Sequence, residues 1–259
     1  MSAHVARKRF GQNFLVDQQV VADIVAELAV QRADLLVEIG PGLGALTEPL
    51  LRRLDHLHVV EIDRDIVARL QQRHPADRLT VHAGDALNFD FGTLAGATGR
   101  RLRVVGNLPY NISTPLLFHL ASFGRCVRDM HFMLQREVVE RMVADPGSGD
   151  FGRLSVMLQY RFVIEPLFEV PPEAFSPAPR VHSAMVRLIP RPPEELSAAD
   201  EKGFATLVSL AFGQRRKMLR NSLKSLVDDG QLAALGVSPT ARAEELSVAD
   251  YLRLANSLK

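Results

Sequence analysis

Between Leu35 and Leu188 short apolar runs alternate with segments of helical periodicity, and this alternation constrains the fold more than any other feature of the chain. A strand buried on both faces reads as near-continuous Val, Ile and Leu, and helices laid over both faces of a mostly parallel sheet bury strands in that way. The runs predict strands over 35–39, 57–62, 79–83, 103–106, 130–135, 162–170 and 184–188. Apolar residues at helical spacing predict helices over 20–29, 46–54, 66–73, 115–123 and 137–144. The fold class that follows is α/β.

Pro190-Arg191-Pro192-Pro193 cannot continue a central strand or a helix interior, so it is expected to link two domains, 1–190 and 191–259. The remainder has a helical pattern: Val208, Phe212, Leu219, Leu223 and Leu226 fall on one helical face, with Lys217, Arg220 and Lys224 on its flank. Net charge is only +1, so bulk charge announces no polyanion. Local patches say more: Ala6-Arg7-Lys8-Arg9 has no acid, and Arg215, Arg216, Lys217, Arg220 and Lys224 have no carboxylate between them. The plain alternative for either patch is a solvated charged face. No apolar run approaches the roughly 18 residues of a membrane helix, and a single cysteine, Cys126, excludes an internal disulfide. Together these predict a cytoplasmic protein with no membrane contact, with a monomer as the default state.

Val37-Glu38-Ile39-Gly40-Pro41-Gly42-Leu43-Gly44 ends a predicted strand and opens a helix, where glycines let the backbone approach a ligand closely. Gly40, Gly42 and Ala45 satisfy a loose dinucleotide pattern, and Glu61 stands about 20 residues on, placed to take ribose hydroxyls. A nicotinamide enzyme therefore remains an alternative at this point. Two later features favour S-adenosylmethionine. Gly84-Asp85-Ala86 follows the third strand, where a carboxylate can accept from an adenine amine, and Asn107-Leu108-Pro109-Tyr110 follows the fourth. Asp85 alone could equally be a helix cap.

The tetrapeptide suits a planar amine. An exocyclic adenine nitrogen is a poor nucleophile because its lone pair is delocalised into the ring. The Asn107 side-chain oxygen and the Leu108 carbonyl could accept from that amine, localising the lone pair and aiming it at a methyl sulfonium. Pro109 stiffens the turn and pushes Leu108 into an extended conformation, and Tyr110 would stack on the base. The alternative is an ordinary turn after a strand. The eight histidines show no zinc spacing, and His131 and His182 are expected to be structural, so no metal is called for.

With those residues in place the chain resembles the ribosomal RNA adenine dimethylases, in their bacterial 16S branch tied to kasugamycin sensitivity. The resemblance is carried by Arg9-Phe10-Gly11-Gln12-Asn13-Phe14-Leu15, Glu38 to Gly42, Glu61-Ile62-Asp63, Gly84-Asp85-Ala86, Gly106 to Thr114 and Phe175-Ser176-Pro177. It implies a Rossmann-like class I methyltransferase sheet and a small helical RNA-binding domain. It also implies two methyl transfers to N6 of each of two adjacent adenines in the 3′-terminal hairpin loop of 16S ribosomal RNA, within the small subunit or its precursor. S-adenosylmethionine would be consumed and S-adenosylhomocysteine released, with a role in subunit biogenesis. By resemblance Asn13 and Leu15 close over the cofactor, Gly40 and Gly42 lie under it, and Glu61 with Ile62 holds the ribose. Asp85 with Ala86 holds the adenine, Asn107 borders the methyl group, and Phe175 covers the base face opposite Tyr110. Rival readings are a non-catalytic ribosome assembly factor and a methyltransferase of another adenine or amide substrate.

Overall fold

A computed structural model of the chain describes residues 12–214 and 217–258. Among the described residues there are nine strands: β1 (Phe14–Leu15), β2 (Leu35–Ile39), β3 (Leu57–Glu61), β4 (Leu79–Ala83), β5 (Leu102–Asn107), β6 (Val127–Gln135), β7 (Phe162–Val170), β8 (Phe175–Ser176) and β9 (Ser183–Pro190). Seven form one sheet in the order β4-β3-β2-β5-β6-β9-β7, while β1 and β8 pair as a separate antiparallel ribbon. Pairing from β4 through β6 is parallel and β6 with β9 is antiparallel. Every residue of β2 is buried, Glu38 included, as a strand covered on both faces requires.

The chain runs from β2 outward to β3 and β4, then returns to add β5 on the other flank of β2. Strand order therefore reverses between β2 and β5, and at such a point open α/β sheets hold ligands beyond their carboxyl ends. Gly106 lets the two strands meet there: a Cβ on it would lie 2.7 Å from the Ile39 carbonyl and 2.9 Å from a Leu108 methyl.

Helix bounds are set by caps that the apolar pattern does not mark. The first helix is Gln18–Leu28, starting two residues before the expected 20–29 because the Asp17 side chain accepts from the Gln19 and Val20 amides. Its Val21, Ile24, Val25 and Leu28 are buried with Leu36, Leu50, Val59 and Val105 in a common core. The expected helix 46–54 is shorter, Thr47–Leu51. Phe91–Thr98 and Arg153–Arg161 are helices without a predicted counterpart. The first carries Gly and Thr residues that favour other conformations. The second buries Leu154, Val156, Met157, Leu158 and Tyr160 nearly all round, which blurs a helical stripe.

Two compact units are present, Met1–Val139 with Glu165–Pro190, and Glu140–Ile164 with Arg191–Lys259. The expected division placed residues 140–164 in the first domain; they belong with the helical unit. Within that unit the Tyr160 ring packs tilted against Phe204 with ring centres 4.7 Å apart, and Arg161 reaches Glu201 at 2.6 Å, contacts between segments with no local sequence signature. The single helical face expected from Val208 to Leu226 is also corrected. The helix Glu201–Phe212 stops, and a separate turn covers Leu219–Ser222. The Leu219 amide donates to the Ala241 carbonyl instead of continuing the earlier helix, and Leu226 is 37% exposed. Lys217, Arg220 and Lys224 are exposed. Among the described residues no helix is long and apolar enough to cross a membrane.

Candidate active site

A cavity of about 350 Å3 opens at the carboxyl ends of β2, β3, β4 and β5, lined in turn by the loops that follow each strand and by residues 12–15. The loop after β2 holds Gly40 and Gly42 at φ +65° and +54°, in the left-handed region where a side chain is strained. The Phe14 ring lies over it, so close that a Cβ on Gly42 would be 3.0 Å from the ring. Residues 12–15 thus form a strap across the loop, held by pairing of Leu15 with Phe175 and Phe14 with Ser176.

At the end of β3 Glu61 is buried, and its Oε1 accepts from the Asp63 amide at 2.7 Å. Burial raises its pKa, opposed by hydrogen bonds from the Asp63, Ile62 and Gly42 backbones. The next side chain, Ile62, is an apolar wall of the cavity and 48% exposed. Beyond β4, Asp85 caps the turn Ala86–Asn88, its Oδ1 accepting from the Leu87 amide at 3.0 Å. The cap reading of Asp85 is therefore correct, and the residue lines the cavity as well, beside Ala86.

Asn107 ends β5. Its amide nitrogen donates to the Asn13 carbonyl at 3.0 Å. A carbonyl can only accept, so the Asn107 amide must turn its NH2 to the strap and its oxygen the other way. Leu108 is buried and its amide donates to the Met133 carbonyl at 3.2 Å, anchoring the turn to β6. Pro109 and Tyr110 complete the rim, and the Tyr110 hydroxyl lies 2.8 Å from the Ser183 hydroxyl. Burial raises the Tyr110 pKa, so the phenol stays protonated at neutral pH.

Asn13, Leu15, Gly40, Gly42, Glu61, Ile62, Asp85, Ala86, Asn107, Leu108, Pro109 and Tyr110 all line this one cavity. Phe175 does not. It is buried in the core and paired with Leu15, so it braces the strap. Arg9 to Gly11, the Ala6 to Arg9 patch, Arg215 and Arg216 lie outside the described residues. His131 is buried, and burial holds its pKa down to about 4.

Glu38 was not among the predicted site residues, yet it lines the cavity and is 2% exposed. Thr47 donates to its Oε2 at 2.7 Å, and burial pushes its pKa up to about 7. The signal was present: it is the lone charged residue in the fully buried strand β2. Among the described residues no cluster of three or more His, Cys, Asp or Glu could hold a metal ion.

A family model described as ribosomal RNA adenine dimethylase matches residues 3–259. Curated relatives named ribosomal RNA small subunit methyltransferase A include one from Dechloromonas aromatica, 60% identical across the whole of both chains. Another, from Chromobacterium violaceum, is 62% identical over 100% of this chain and 97% of its own. Among solved structures a dimethyladenosine transferase from Plasmodium falciparum superposes with a TM-score of 0.79 at 24% identity, covering 93% of this chain and 95% of that one. The 23S rRNA methyltransferase ErmE gives 0.70 at 24% identity, over 95% and 99%. At that identity the structural likeness establishes the fold.

Proposed function

The chain belongs to the ribosomal RNA adenine dimethylase family, and from that premise we propose that it transfers methyl groups from S-adenosylmethionine to N6 of two adjacent adenines in the 3′-terminal hairpin loop of 16S ribosomal RNA. Its substrate is the small ribosomal subunit or its precursor, met in the cytoplasm by a monomer, and the product serves subunit biogenesis. The observation that carries the reading is the orientation of the Asn107 amide, whose oxygen is left to accept because its nitrogen is committed to Asn13.

The residues around the cavity suit the cofactor. Gly40 and Gly42 supply close backbone approach, and Glu61 is a buried acceptor for vicinal hydroxyls. Ile62 offers an apolar face to a planar ring, and the Asp85 oxygen not used in capping can accept from an amine. Asn13 and Leu15 of the strap cover the whole. When bound, S-adenosylmethionine supplies an electrophilic methyl group and departs as the neutral thioether S-adenosylhomocysteine.

The chain's own part is placement. In the first transfer the Asn107 oxygen and the Leu108 carbonyl accept from the two amine hydrogens, and in the second one of them accepts from the hydrogen that remains, which favours a pyramidal nitrogen with its lone pair directed along the line of attack. Tyr110 stacks on the base and fixes its plane. As the new N–C bond forms, the nitrogen becomes acidic and its proton passes to solvent, so no strong base is needed. The target base must stand outside a helix stack, since an amine inside a duplex is out of reach. The helical unit, with exposed Lys217, Arg220 and Lys224, is assigned the phosphate contacts that position the RNA. Labelled methyl transfer to small subunits that lack the modification tests this: dimethyladenosine after nucleoside analysis, lost with Asn107→Ala, is expected, and no incorporation would overturn it.

A further inference from the structure

Ser183 opens β9, opposite Gln135 of β6, and has no solvent exposure. The residues that follow it, Ala184, Met185 and Val186, are apolar and buried. A hydroxyl in that setting costs stability unless it is hydrogen-bonded, and alanine would pack there without the cost. The partner it has is the Tyr110 hydroxyl, 2.8 Å away and 73 residues earlier in the chain.

The other end of Tyr110 is also fixed. Ser113 donates its hydroxyl to the Tyr110 carbonyl at 3.1 Å, and the Ile112 amide donates to the Pro109 carbonyl at 3.1 Å. A tyrosine ring has two side-chain torsions: pinning the backbone and the phenol oxygen fixes the first, which sets where the ring lies, and because a phenol oxygen hydrogen-bonds best in the plane of its ring, the bond to Ser183 also biases the second. Stacking depends on where the ring lies, and methyl transfer depends on where stacking puts the amine.

We propose that Ser183 is a positioning residue for methyl transfer: its hydroxyl holds the Tyr110 ring in the place that aligns the target base, and it acts on the reaction only through Tyr110. The proposal rests on the reading of the cavity rim given above. It adds a residue outside that rim, on a strand that no cavity-lining residue occupies.

Tyr110, Tyr160 and Tyr251 are the three tyrosines of the chain, so ring-labelled tyrosine gives a spectrum in which each is assignable. Ser183→Ala is expected to shift or broaden the Tyr110 ring signals and leave those of Tyr160 and Tyr251 in place. On unmodified small subunits it should lower kcat by about tenfold to a hundredfold with the KM for S-adenosylmethionine unchanged. Ser183→Thr should restore both, and Ser183→Ala should cost nothing further when added to Tyr110→Phe. An unchanged Tyr110 signal would overturn the tether whatever the activity. A wild-type kcat in Ser183→Ala, a parallel rise in the cofactor KM, or additivity with Tyr110→Phe would overturn the role in transfer. Absence of methyl transfer by the wild-type protein, with the Tyr110 signals still responding to Ser183→Ala, would locate the error in the proposed substrate.

Discussion

The side-chain amide of Asn107, at the end of β5, donates to the backbone carbonyl of Asn13 in the strap, across 94 residues of sequence. One hydrogen bond thus joins the residue proposed to grip the target amine to the segment proposed to cover the cofactor.

Asn107→Asp keeps the shape but replaces the donor by an acceptor facing the Asn13 carbonyl. The strap should loosen and the remaining oxygen lose its alignment. Methyl transfer is expected to fall by about 10²-fold or more, and the dissociation constant for S-adenosylmethionine, measured by calorimetry, should rise. Retention of the wild-type rate would count against the proposed geometry.

Asp85→Asn separates two roles of one side chain. Asparagine caps a turn as well as aspartate, so the oxygen accepting from the Leu87 amide is kept and stability should change by less than about 0.5 kcal/mol. The second position becomes an NH2 that repels an adenine amine, and cofactor affinity should drop by about tenfold or more. An unaltered affinity would leave Asp85 as a cap only.

Glu38 makes stability depend on pH. Its carboxyl is raised by burial from 4.5 to about 7, so over that interval the folded chain keeps a proton that the unfolded chain has released. Stability should therefore decline as pH rises from about 4.5 to about 7, by roughly 3 kcal/mol from this group. Glu38→Gln, which can still accept from Thr47, should flatten the decline in urea unfolding free energy. Equal slopes in the two proteins would show that Glu38 does not titrate in this range.

Gly106→Ala puts a methyl group 2.7 Å from the Ile39 carbonyl, where backbone must yield. Overpacking of this kind should cost about 1–3 kcal/mol, read as a lower urea midpoint with an unchanged m-value. Because Gly106 precedes Asn107, transfer should slow as well. A fully stable variant would mean that β2 and β5 separate more easily than their register implies.

β2, β4 and β7 have the bounds expected from their apolar runs, and Gly40, Glu61, Asp85 and Asn107 stand on successive strand ends as expected. Such features repeat at short range, through local burial and local turn chemistry. The ribbon of Phe14–Leu15 with Phe175–Ser176 left no trace, because two residues carry no periodicity and their partner is remote. For the same reason the segment 140–164 gave no sign that it belongs with the helical unit.

The order of the chain was enough to determine an α/β sheet, its parallel core, the ligand end of that sheet and the residue types gathered there, since each follows from periodicity and from groups adjacent in sequence. Tertiary structure alone decided that Asn13 turns the Asn107 amide, that Ser183 holds Tyr110, that Phe175 braces the strap and that burial raises the Glu38 carboxyl. Hydrogen bonds across 73 and 94 residues, and the desolvation of a carboxyl, exist only once distant segments have closed around them.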